Sequence, residues 1–478
     1  MSTTPAGGPR REGVALALAL ALVCGVPALW PSDAPFINDE PLLILGALRA
    51  NAAGTLAETG LQGTRGVRYG PLPTWLYQGL LLLSHDLVAL VSARALLMMA
   101  SMAAGLLLLA RGLGLWRGYA PVLLLSPYLW FYSRVLWDNP FLLPLGAVGL
   151  GAYACFLARR EAWALAVTLL CLWALPLVHL MALAFVGPIA LHLLAFEHRA
   201  LWRHRYRVLG ALGLGAFAWF PYARYLWGTS GAPPPASNLE GLWFPLLGGR
   251  LLSASGLEYL FGPGWEAQGP FPEGLLKAAV LVSQLAFVTT WAGMGLAAFR
   301  VARALWRRRA EPLDHAAGLG LAIVAAQCVL DWRAGAVLHP HYYNATWPAF
   351  ALLSWLAVDA LCQRWRAARL LPLPQAAALC VVLACLALRI HERGGTRDDR
   401  YGPTLGNQVE LVRALQRLPR GTPLSTSVEN FARFPHGLDA LRALEPAEPS
   451  PGPPVPGGVR LDYAPGDPRS ARVVMVTK

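Results

Sequence analysis

Charged residues are scarce in this sequence. Asp, Glu, Lys and Arg together make up 14% of its 478 residues, whereas hydrophobic residues make up 56%. Soluble domains carry about 25% charged residues and bury most of a smaller apolar fraction in one core. The shortage of charge therefore excludes a soluble globular protein and predicts an integral membrane protein.

Cysteine is also scarce, and no two cysteines have CxxC spacing. The seven residues lie within or at the ends of apolar segments: Cys24, Cys155, Cys171, Cys328, Cys362, Cys380 and Cys385. Neither a disulfide framework nor a zinc site is predicted from this pattern.

Acidic residues are outnumbered, with 27 Asp and Glu against 40 Lys and Arg and a formal net charge of +13. In another protein this excess would favour nucleic-acid binding. Here the basic residues form short clusters between apolar runs, at 199–207, 300–309 and 364–369, as they do in cytoplasmic loops of membrane proteins. Nucleic acid is therefore not an expected partner.

Long apolar runs predict an all-α polytopic membrane protein with about 11 transmembrane helices. The predicted spans are 13–30, 87–110, 118–133, 140–158, 162–178, 180–196, 208–227, 276–299, 315–330, 342–362 and 372–390. The first resembles a signal peptide, but many spans follow it, so we interpret it as a retained helix. Two shorter apolar stretches, 41–50 and 74–83, are predicted to be helices lying in the outer interface.

The distribution of arginine predicts the orientation. With a cytoplasmic N-terminus, eighteen arginines fall on the cytoplasmic side and six in the opposite short loops. Two long segments, 31–86 and 228–275, then lie outside. Apolar runs stop at His391, and residues 391–478 are predicted to be a small extramembranous α/β appendage on the non-cytoplasmic side, following a transmembrane domain over 1–390.

Charged residues near a membrane are costly, so those that are not loop anchors are candidate functional residues. Asp39 and Glu40 follow the first span, and the alternative interpretation is a cap for a helix that begins at Pro41. Arg134 and Asp138 stand at the outer end of the third span, where the alternative is a structural ion pair between residues four apart.

Histidines and tyrosines supply further candidates. His179 lies in an apolar run, where a buried, hydrogen-bonded histidine is the alternative. His339, His341, Tyr342 and Tyr343 crowd one loop, and aromatic anchoring at the interface is their alternative.

The predicted topology brings the candidates to one face of the membrane. The set from separate segments comprises Asp39, Glu40, Arg68, Arg134, Asp138, His179 and His341. Carboxylates beside cations and Tyr hydroxyls can bind a phosphate leaving group and deprotonate an acceptor hydroxyl. A proton or solute transporter would instead place ionisable groups near the middle of the membrane.

Four motifs follow one another along the first part of the sequence. They are FINDEPLLILGALRANA (36–52), RYGPLPTWLYQGLLLL (68–83), SARALLMMASMAAGLLLLARGLGLWRG (92–118) and LLLSPYLWFYSRVLWDNPFLLPLG (123–146). In this order they resemble the motifs of the C-type (GT-C) polytopic membrane glycosyltransferases, in particular bacterial relatives of protein O-mannosyltransferases and of the lipid A aminoarabinose transferase. Three positions depart from the family pattern. Gly70 replaces a proline, His179 stands where a lysine is common, and HPHYYNATWP (339–348) replaces a Lys/Arg-Tyr-Pro element.

The resemblance implies an enzyme of the bacterial inner membrane that works at its non-cytoplasmic face. Such an enzyme transfers a sugar from a polyprenyl-phosphate donor to a lipid, glycan or protein acceptor, with inversion at the anomeric carbon. By this resemblance Asp39, Glu40 and Asp138 are the catalytic candidates. The candidates for holding the donor phosphate are Arg68, Arg134, His179, His341, Tyr342 and Tyr343.

Some points stay open at the level of the sequence. Some family members bind a divalent cation and others do not, and the sequence has no obvious multi-carboxylate cage, so the cofactor is undetermined. A flippase or transporter of lipid-linked sugars is the main alternative function. A glycan polymerase or ligase is a weaker one, because the loop at 228–275 has a single arginine and no histidine.

Overall fold

A computed structural model describes residues 8–63, 66–229, 237–257, 271–334, 339–397, 401–428, 434–445 and 452–477. Its membrane-domain helices are α1 (Gly8–Gly25), α2 (Glu40–Ala52), α3 (Leu72–Leu83), α4 (Leu87–Leu113), α5 (Ala120–Leu124), α6 (Pro127–Arg134), α7 (Leu142–Arg159), α8 (Ala162–Val178), α9 (Leu183–Phe196), α10 (His198–Arg203), α11 (Arg205–Gly228), α12 (Glu273–Ser283), α13 (Leu285–Arg307), α14 (Pro312–Ala334), α15 (Trp347–Arg364) and α16 (Pro372–Arg393). The C-terminal segment adds α17 (Leu405–Gln416), β1 (Leu424–Thr426), α18 (Phe434–Leu444), β2 (Val459–Tyr463) and β3 (Val473–Thr477). The predicted outer segment 228–275 lies partly outside the described residues.

Five helical stretches among these residues are long and apolar enough to cross a membrane. They are Leu87–Leu113, Asn139–Arg159, Glu273–Arg307, Pro312–Arg333 and Arg366–Arg393. Four shorter apolar stretches accompany them, at Glu12–Ala28, Leu72–Leu83, Ala162–Val178 and Leu180–Phe196. A helical integral membrane protein is therefore supported, whereas the predicted number of eleven spans is not confirmed.

The predicted span at 118–133 is a broken helix. Helix α5 ends at Leu124, and α6 starts at Pro127 after an extended Ser126 (ψ 124°). Proline disfavours a helical conformation in the residue before it and has no N–H to donate. Two short helices therefore replace one continuous span, and the second ends at Arg134, where the chain turns towards Asp138.

Glycines allow the central helices to approach closely. On α4, a Cβ at Gly105 would lie 2.5 Å from the backbone of Ala147 on α7. On α13, a Cβ at Gly293 would lie 1.7 Å from the carbonyl oxygen of Leu353 on α15. Without a side chain at these positions, backbones pack against each other, as small residues permit in membrane helix bundles.

The C-terminal segment packs against the start of the membrane domain. Its sheet pairs β1 parallel with β2 and β2 antiparallel with β3. The backbone N–H of Leu405 donates to the carbonyl of Ala34 (2.8 Å), and the side-chain amide of Gln408 donates to the carbonyl of Phe36 (2.9 Å). Residues of α17 and α18 share one hydrophobic core with α2, α3 and the first turns of α4.

Substitution of Gly293 tests the close approach of α13 to α15. We expect Gly293→Ala to lower the thermal stability of the detergent-solubilised protein, because a methyl group there overlaps a backbone carbonyl and overpacking costs about 1–3 kcal/mol or more. The matched control is Gly295→Ala on the same helix, where an added Cβ meets nothing within 4 Å. Thermal unfolding followed by intrinsic fluorescence measures both. Equal midpoints for the two variants would contradict this packing.

Candidate active site

The Asp39-Glu40 pair lies at the start of α2 and forms one part of the candidate site. Asp39 occupies the position before α2, yet its side chain makes no capping hydrogen bond to that helix. Glu40 is the first residue of α2 and only 4% exposed, and its Oε2 accepts a hydrogen bond from the backbone N–H of Asn38 (2.8 Å). The alternative in which Asp39 serves as the helix cap therefore does not match the geometry, and half-buried Asp39 is the more accessible of the two carboxylates.

Asp138 lies in the turn between α6 and α7 and is 2% exposed. Its Oδ1 accepts from the backbone N–H of Asn139 (2.6 Å), whereas the buried Oδ2 has no hydrogen-bond partner in the described part of the chain. No ion pair joins it to Arg134 within that part. Because α6 ends at Arg134 and Val135 is extended, the helical spacing that would bring the two side chains together is absent.

Electrostatics link the three carboxyl groups. Burial raises the pKa of Asp138 to about 8, and the nearby carboxylates of Asp39 and Glu40 add to this effect. Burial also raises the pKa of Glu40 to about 7, again with a contribution from Asp39. Charged carboxylates in one low-dielectric site repel each other, so the buried members retain protons near neutral pH. The site therefore holds carboxyl groups of two kinds, two buried and one accessible.

A buried arginine that was not among the predicted site residues supports this arrangement. Arg94, on the first half of α4, donates through Nη1 to the carbonyls of Ser133 (2.8 Å) and Tyr132 (3.3 Å). Its Nη2 donates to the carbonyl of Trp137 (3.4 Å), and its guanidinium lies 4.8 Å from the ring centroid of Phe141. The signal in the sequence was a single charge within the first half of an apolar span, a costly placement that marks function or structure.

Tyr77 of α3 completes the buried side of the site. Burial raises the pKa of Tyr77 to about 12, with neighbouring Asp138 and Glu40 adding to the rise and Arg94 opposing it. The phenol, the guanidinium and the two buried carboxyl groups therefore lie close enough to interact electrostatically.

An aromatic group lies beside the carboxylates. The ring centroid of His179 is 4.1 Å from that of Tyr69 and 6.1 Å from that of Tyr342. Burial and the charges of Asp138 and Asp39 raise the pKa of Tyr69, which places this tyrosine next to the acids. His179 thus lies at the same site although it comes from a different loop.

His179 is neutral in this position. Its Nδ1 accepts a hydrogen bond from the backbone N–H of Met181 (3.1 Å), and burial lowers its pKa to about 3. With Nδ1 accepting, the proton of the neutral ring lies on Nε2, so the ring presents a neutral N–H donor. A full positive charge is therefore not expected from this side chain.

The loop at 339–342 joins the site through Trp137, the residue before Asp138. The ring centroid of His341 lies 4.7 Å from that of Trp137 and 4.5 Å from that of Tyr342. It also stacks on His339 at 5.2 Å. Burial lowers the pKa of His341 well below its ordinary value, and His339 and His179 contribute, so this histidine is also neutral.

Arg68 lies at the edge of the site, one residue before Tyr69. Its side chain is exposed, and its Nη1 is 3.5 Å from the carbonyl of Gly60. Two tyrosines of α11 hold its backbone: Arg68 N–H donates to the hydroxyl of Tyr225, and its carbonyl accepts from the hydroxyl of Tyr222, both at 3.0 Å. The backbone is thus fixed while the guanidinium stays accessible.

Two predicted phosphate-binding residues make other contacts. Arg134 is buried, donates through Nη2 to the carbonyl of Trp30 (2.7 Å) and lies over the ring of Trp130 at 4.6 Å. Tyr343 is buried on the other side of its loop, where its hydroxyl donates to Oδ2 of Asp331 (2.9 Å). Neither contact involves the three carboxylates.

The C-terminal segment anchors the loop that carries Asp39. Nδ1 of His391 lies 2.9 Å from Oδ2 of Asp33, and the ring of His391 stacks on Trp30 with 4.6 Å between centroids. The hydroxyl of Tyr401 donates to the carbonyl of Asp33. These residues are more than 350 positions away from the loop. No pattern in the sequence indicated that they would anchor it.

The carboxylates do not form a recognisable metal centre. Within the described residues, no group of three or more His, Cys, Asp or Glu side chains is arranged to hold a metal ion. The involvement of a divalent cation stays undetermined.

No family model and no curated protein matches this chain. Among solved structures, the chain is similar to the crystal structure of ArnT from Cupriavidus metallidurans bound to undecaprenyl phosphate, with a TM-score of 0.49 and 14% sequence identity. The match covers 93% of this chain and 90% of that chain. At this level of similarity, function has to be argued from the residues themselves.

Replacement of Asp138 tests the burial of its carboxyl group. The folded protein holds this proton up to a pH of about 8, whereas the unfolded chain releases it near pH 4, so wild-type stability falls as the pH rises between these values. The amide introduced by Asp138→Asn cannot ionise. We therefore expect the melting temperature of this variant, relative to wild type, to rise by about 3 °C or more between pH 5 and pH 8.

The control for this measurement is Asp439→Asn, which changes an exposed carboxylate on α18. Its melting temperature relative to wild type should stay nearly constant over the same pH range. If the Asp138→Asn difference were equally constant, the carboxyl group would not hold a proton in the folded protein.

Proposed function

We propose that this protein is a membrane glycosyltransferase that moves a sugar from a polyprenyl-phosphate donor to a hydroxyl of a lipid, glycan or protein acceptor. The proposal depends mainly on one observation. Three carboxyl groups from two separate loops lie close together, beside a cluster of His and Tyr side chains. The motifs that carry the carboxylates in this sequence also resemble those of the GT-C glycosyltransferases. Reaction at the non-cytoplasmic face of a bacterial inner membrane is part of the proposal.

Asp39 is the general base or the orienting group for the acceptor hydroxyl. It is half-buried and is the accessible member of the three carboxylates. Glu40 and Asp138 retain protons near neutral pH because burial raises the pKa of both. An ionised carboxylate beside neutral ones can accept the proton of an attacking hydroxyl, and the protonated neighbours can donate hydrogen bonds to substrate oxygens.

We assign binding of the phosphate of the sugar donor to one cationic side chain and several neutral hydrogen-bonding side chains. Arg68 supplies the positive charge, since its guanidinium is exposed beside Tyr69. His179 supplies a neutral N–H, and His341 and Tyr342 lie in the same aromatic group. Donors directed at the developing charge of a leaving phosphate stabilise the transition state. Arg134 and Tyr343 make contacts elsewhere, and the proposal does not require them.

The first test compares wild type with Asp39→Asn in sugar transfer. Purified protein in detergent is given a panel of radiolabelled polyprenyl-phosphate sugars, with a membrane extract as the acceptor. We expect wild type to transfer one of these sugars and Asp39→Asn to lose about 100-fold or more of the rate, the range typical of a general base.

The matched control is Glu58→Gln, which removes an exposed outer-loop carboxylate that pairs with Arg224. It should retain wild-type transfer. Unchanged transfer by Asp39→Asn would remove Asp39 from the mechanism. If no donor were turned over by wild type, the proposal would fail in favour of a flippase or transporter of lipid-linked sugars, which flux of the labelled lipid across proteoliposomes would measure.

The second test concerns the cation at the edge of the site. Because a hydrogen bond to a charged group contributes about 1.5–3 kcal/mol, we expect Arg68→Gln to raise KM for the polyprenyl-phosphate sugar about tenfold or more, with a smaller change in kcat. Arg224→Gln, which removes an exposed arginine of α11, is the control and should leave KM unchanged. A normal KM for Arg68→Gln would place the phosphate elsewhere.

A further inference from the structure

A cavity lies among helices that do not carry the carboxylates. It has a volume of about 950 Å³ and is bounded by α9, α13 and α14. Most of the residues that line it are apolar, and two of them, Leu191 and Leu305, are 69% and 73% exposed. The cavity is therefore an open groove on the outside of the helical bundle, where a lipid chain can enter from the side.

Three polar side chains form a hydrogen-bonded series that ends at this groove. The hydroxyl of buried Tyr153, on α7, lies 2.6 Å from Nδ1 of His192 on α9. Nε2 of His192 lies 2.9 Å from Nδ1 of His315 on α14. Both histidines line the groove. Ionisable groups inside membrane helices are costly, and the proposed transfer reaction does not use these three.

The direction of the hydrogen bonds follows from the buried hydroxyl. Tyr153 needs an acceptor for its proton, and His192 Nδ1 is the acceptor within reach. His192 then carries its proton on Nε2 and donates to His315, whose own proton is left on its Nε2. No described group accepts from this last nitrogen. The hydrogen-bonded series therefore presents an N–H donor at an otherwise apolar groove.

Positive charge lies at the mouth of the groove. Arg308 and Arg309 follow the last turn of α13 and belong to the lining. The acidic residue of the lining, Asp314, is already paired with Arg300 at 2.8 Å. The groove thus combines apolar walls, a hydrogen-bond donor and two exposed arginines without a neutralising partner among its described lining residues.

We propose that this groove binds an anionic phospholipid of the surrounding membrane, with an acyl chain along α9 and α14 and the phosphodiester between the two arginines and His315. A groove with mostly apolar walls disfavours a free inorganic anion, and the arginines favour an anionic over a zwitterionic headgroup. The arginines belong to the 300–309 cluster that the sequence predicts to be cytoplasmic, and anionic lipids attract such clusters at that surface.

The test measures lipid binding by native mass spectrometry of the full-length protein in mild detergent. The probes are palmitoyl-oleoyl phosphatidylglycerol, the matching phosphatidylcholine and undecaprenyl phosphate. We expect wild type to bind phosphatidylglycerol in preference to phosphatidylcholine. We expect Arg308→Gln/Arg309→Gln to weaken that binding about thirtyfold, since each basic residue near the surface contributes about 1 kcal/mol.

The matched control is Arg303→Gln/Arg307→Gln, which removes the same charge from the end of α13, at positions outside the groove lining. It should bind phosphatidylglycerol within about twofold of wild type, well below the effect expected for two bound arginines. Equal losses in the two double variants would overturn the proposal in favour of diffuse surface charge. Equal binding of the two phospholipids, or tighter binding of undecaprenyl phosphate than of phosphatidylglycerol, would also overturn it.

A measurement on wild type alone tests the proposal even if the double variants fail to fold. Phosphatidylglycerol with a photoreactive acyl chain should label peptides that contain 186–196 and 315–326. Labelling spread evenly over the membrane helices, or absent from these two, would contradict a site in the groove.

Discussion

The position of Arg94 is the constraint on which the candidate site depends. A guanidinium buried in a helical membrane protein is tolerated only where its donors are satisfied, and Arg94 donates to three backbone carbonyls between residues 132 and 137. These carbonyls belong to the end of α6 and to the turn that leads into Asp138. Helix α4 therefore holds the turn in place, and the carboxyl group that follows cannot shift without leaving a buried charge unsatisfied.

The loop that carries Asp39 is fixed from the opposite end of the chain. Its residues 33–36 bond to His391, Tyr401, Leu405 and Gln408, and the helices after 404 share a hydrophobic core with α2, α3 and α4. Arg134 adds a hydrogen bond to Trp30 from the same end of α6. The C-terminal segment therefore belongs to the framework of the site. Two independent anchors, one for each carboxylate loop, define how far apart the acids lie.

The parts of the site that sequence reasoning predicted are those that depend only on topology. Asp39, Glu40 and Asp138 are brought together in the structure because apolar runs on either side send their loops to the same end of the helices. Contacts that depend on local backbone were not predictable in this way. A pair between Arg134 and Asp138 required a continuous helix, and the helix ends at Arg134.

Arg94 was missed for a different reason. The sequence shows a lone charge in an apolar span, but the backbone carbonyls that satisfy it become visible only in the fold. The number of spans was even harder to predict. Pro127 divides one apolar run into two short helices, and α8 and α9 are shorter than the apolar helices that are long enough to cross a membrane.

Burial determines the charge of a site that contains three carboxyl groups. If all three were ionised, they would form a cluster of negative charge. Burial prevents this, since Glu40 and Asp138 keep their protons up to a pH of about 7 and about 8. The cations Arg94 and Arg68 lie within the site and at its edge, and His179 and His341 add hydrogen-bond donors without adding charge. The same burial that raises the pKa of two acids therefore limits the negative charge of the site, as the proposed transfer from an anionic donor requires.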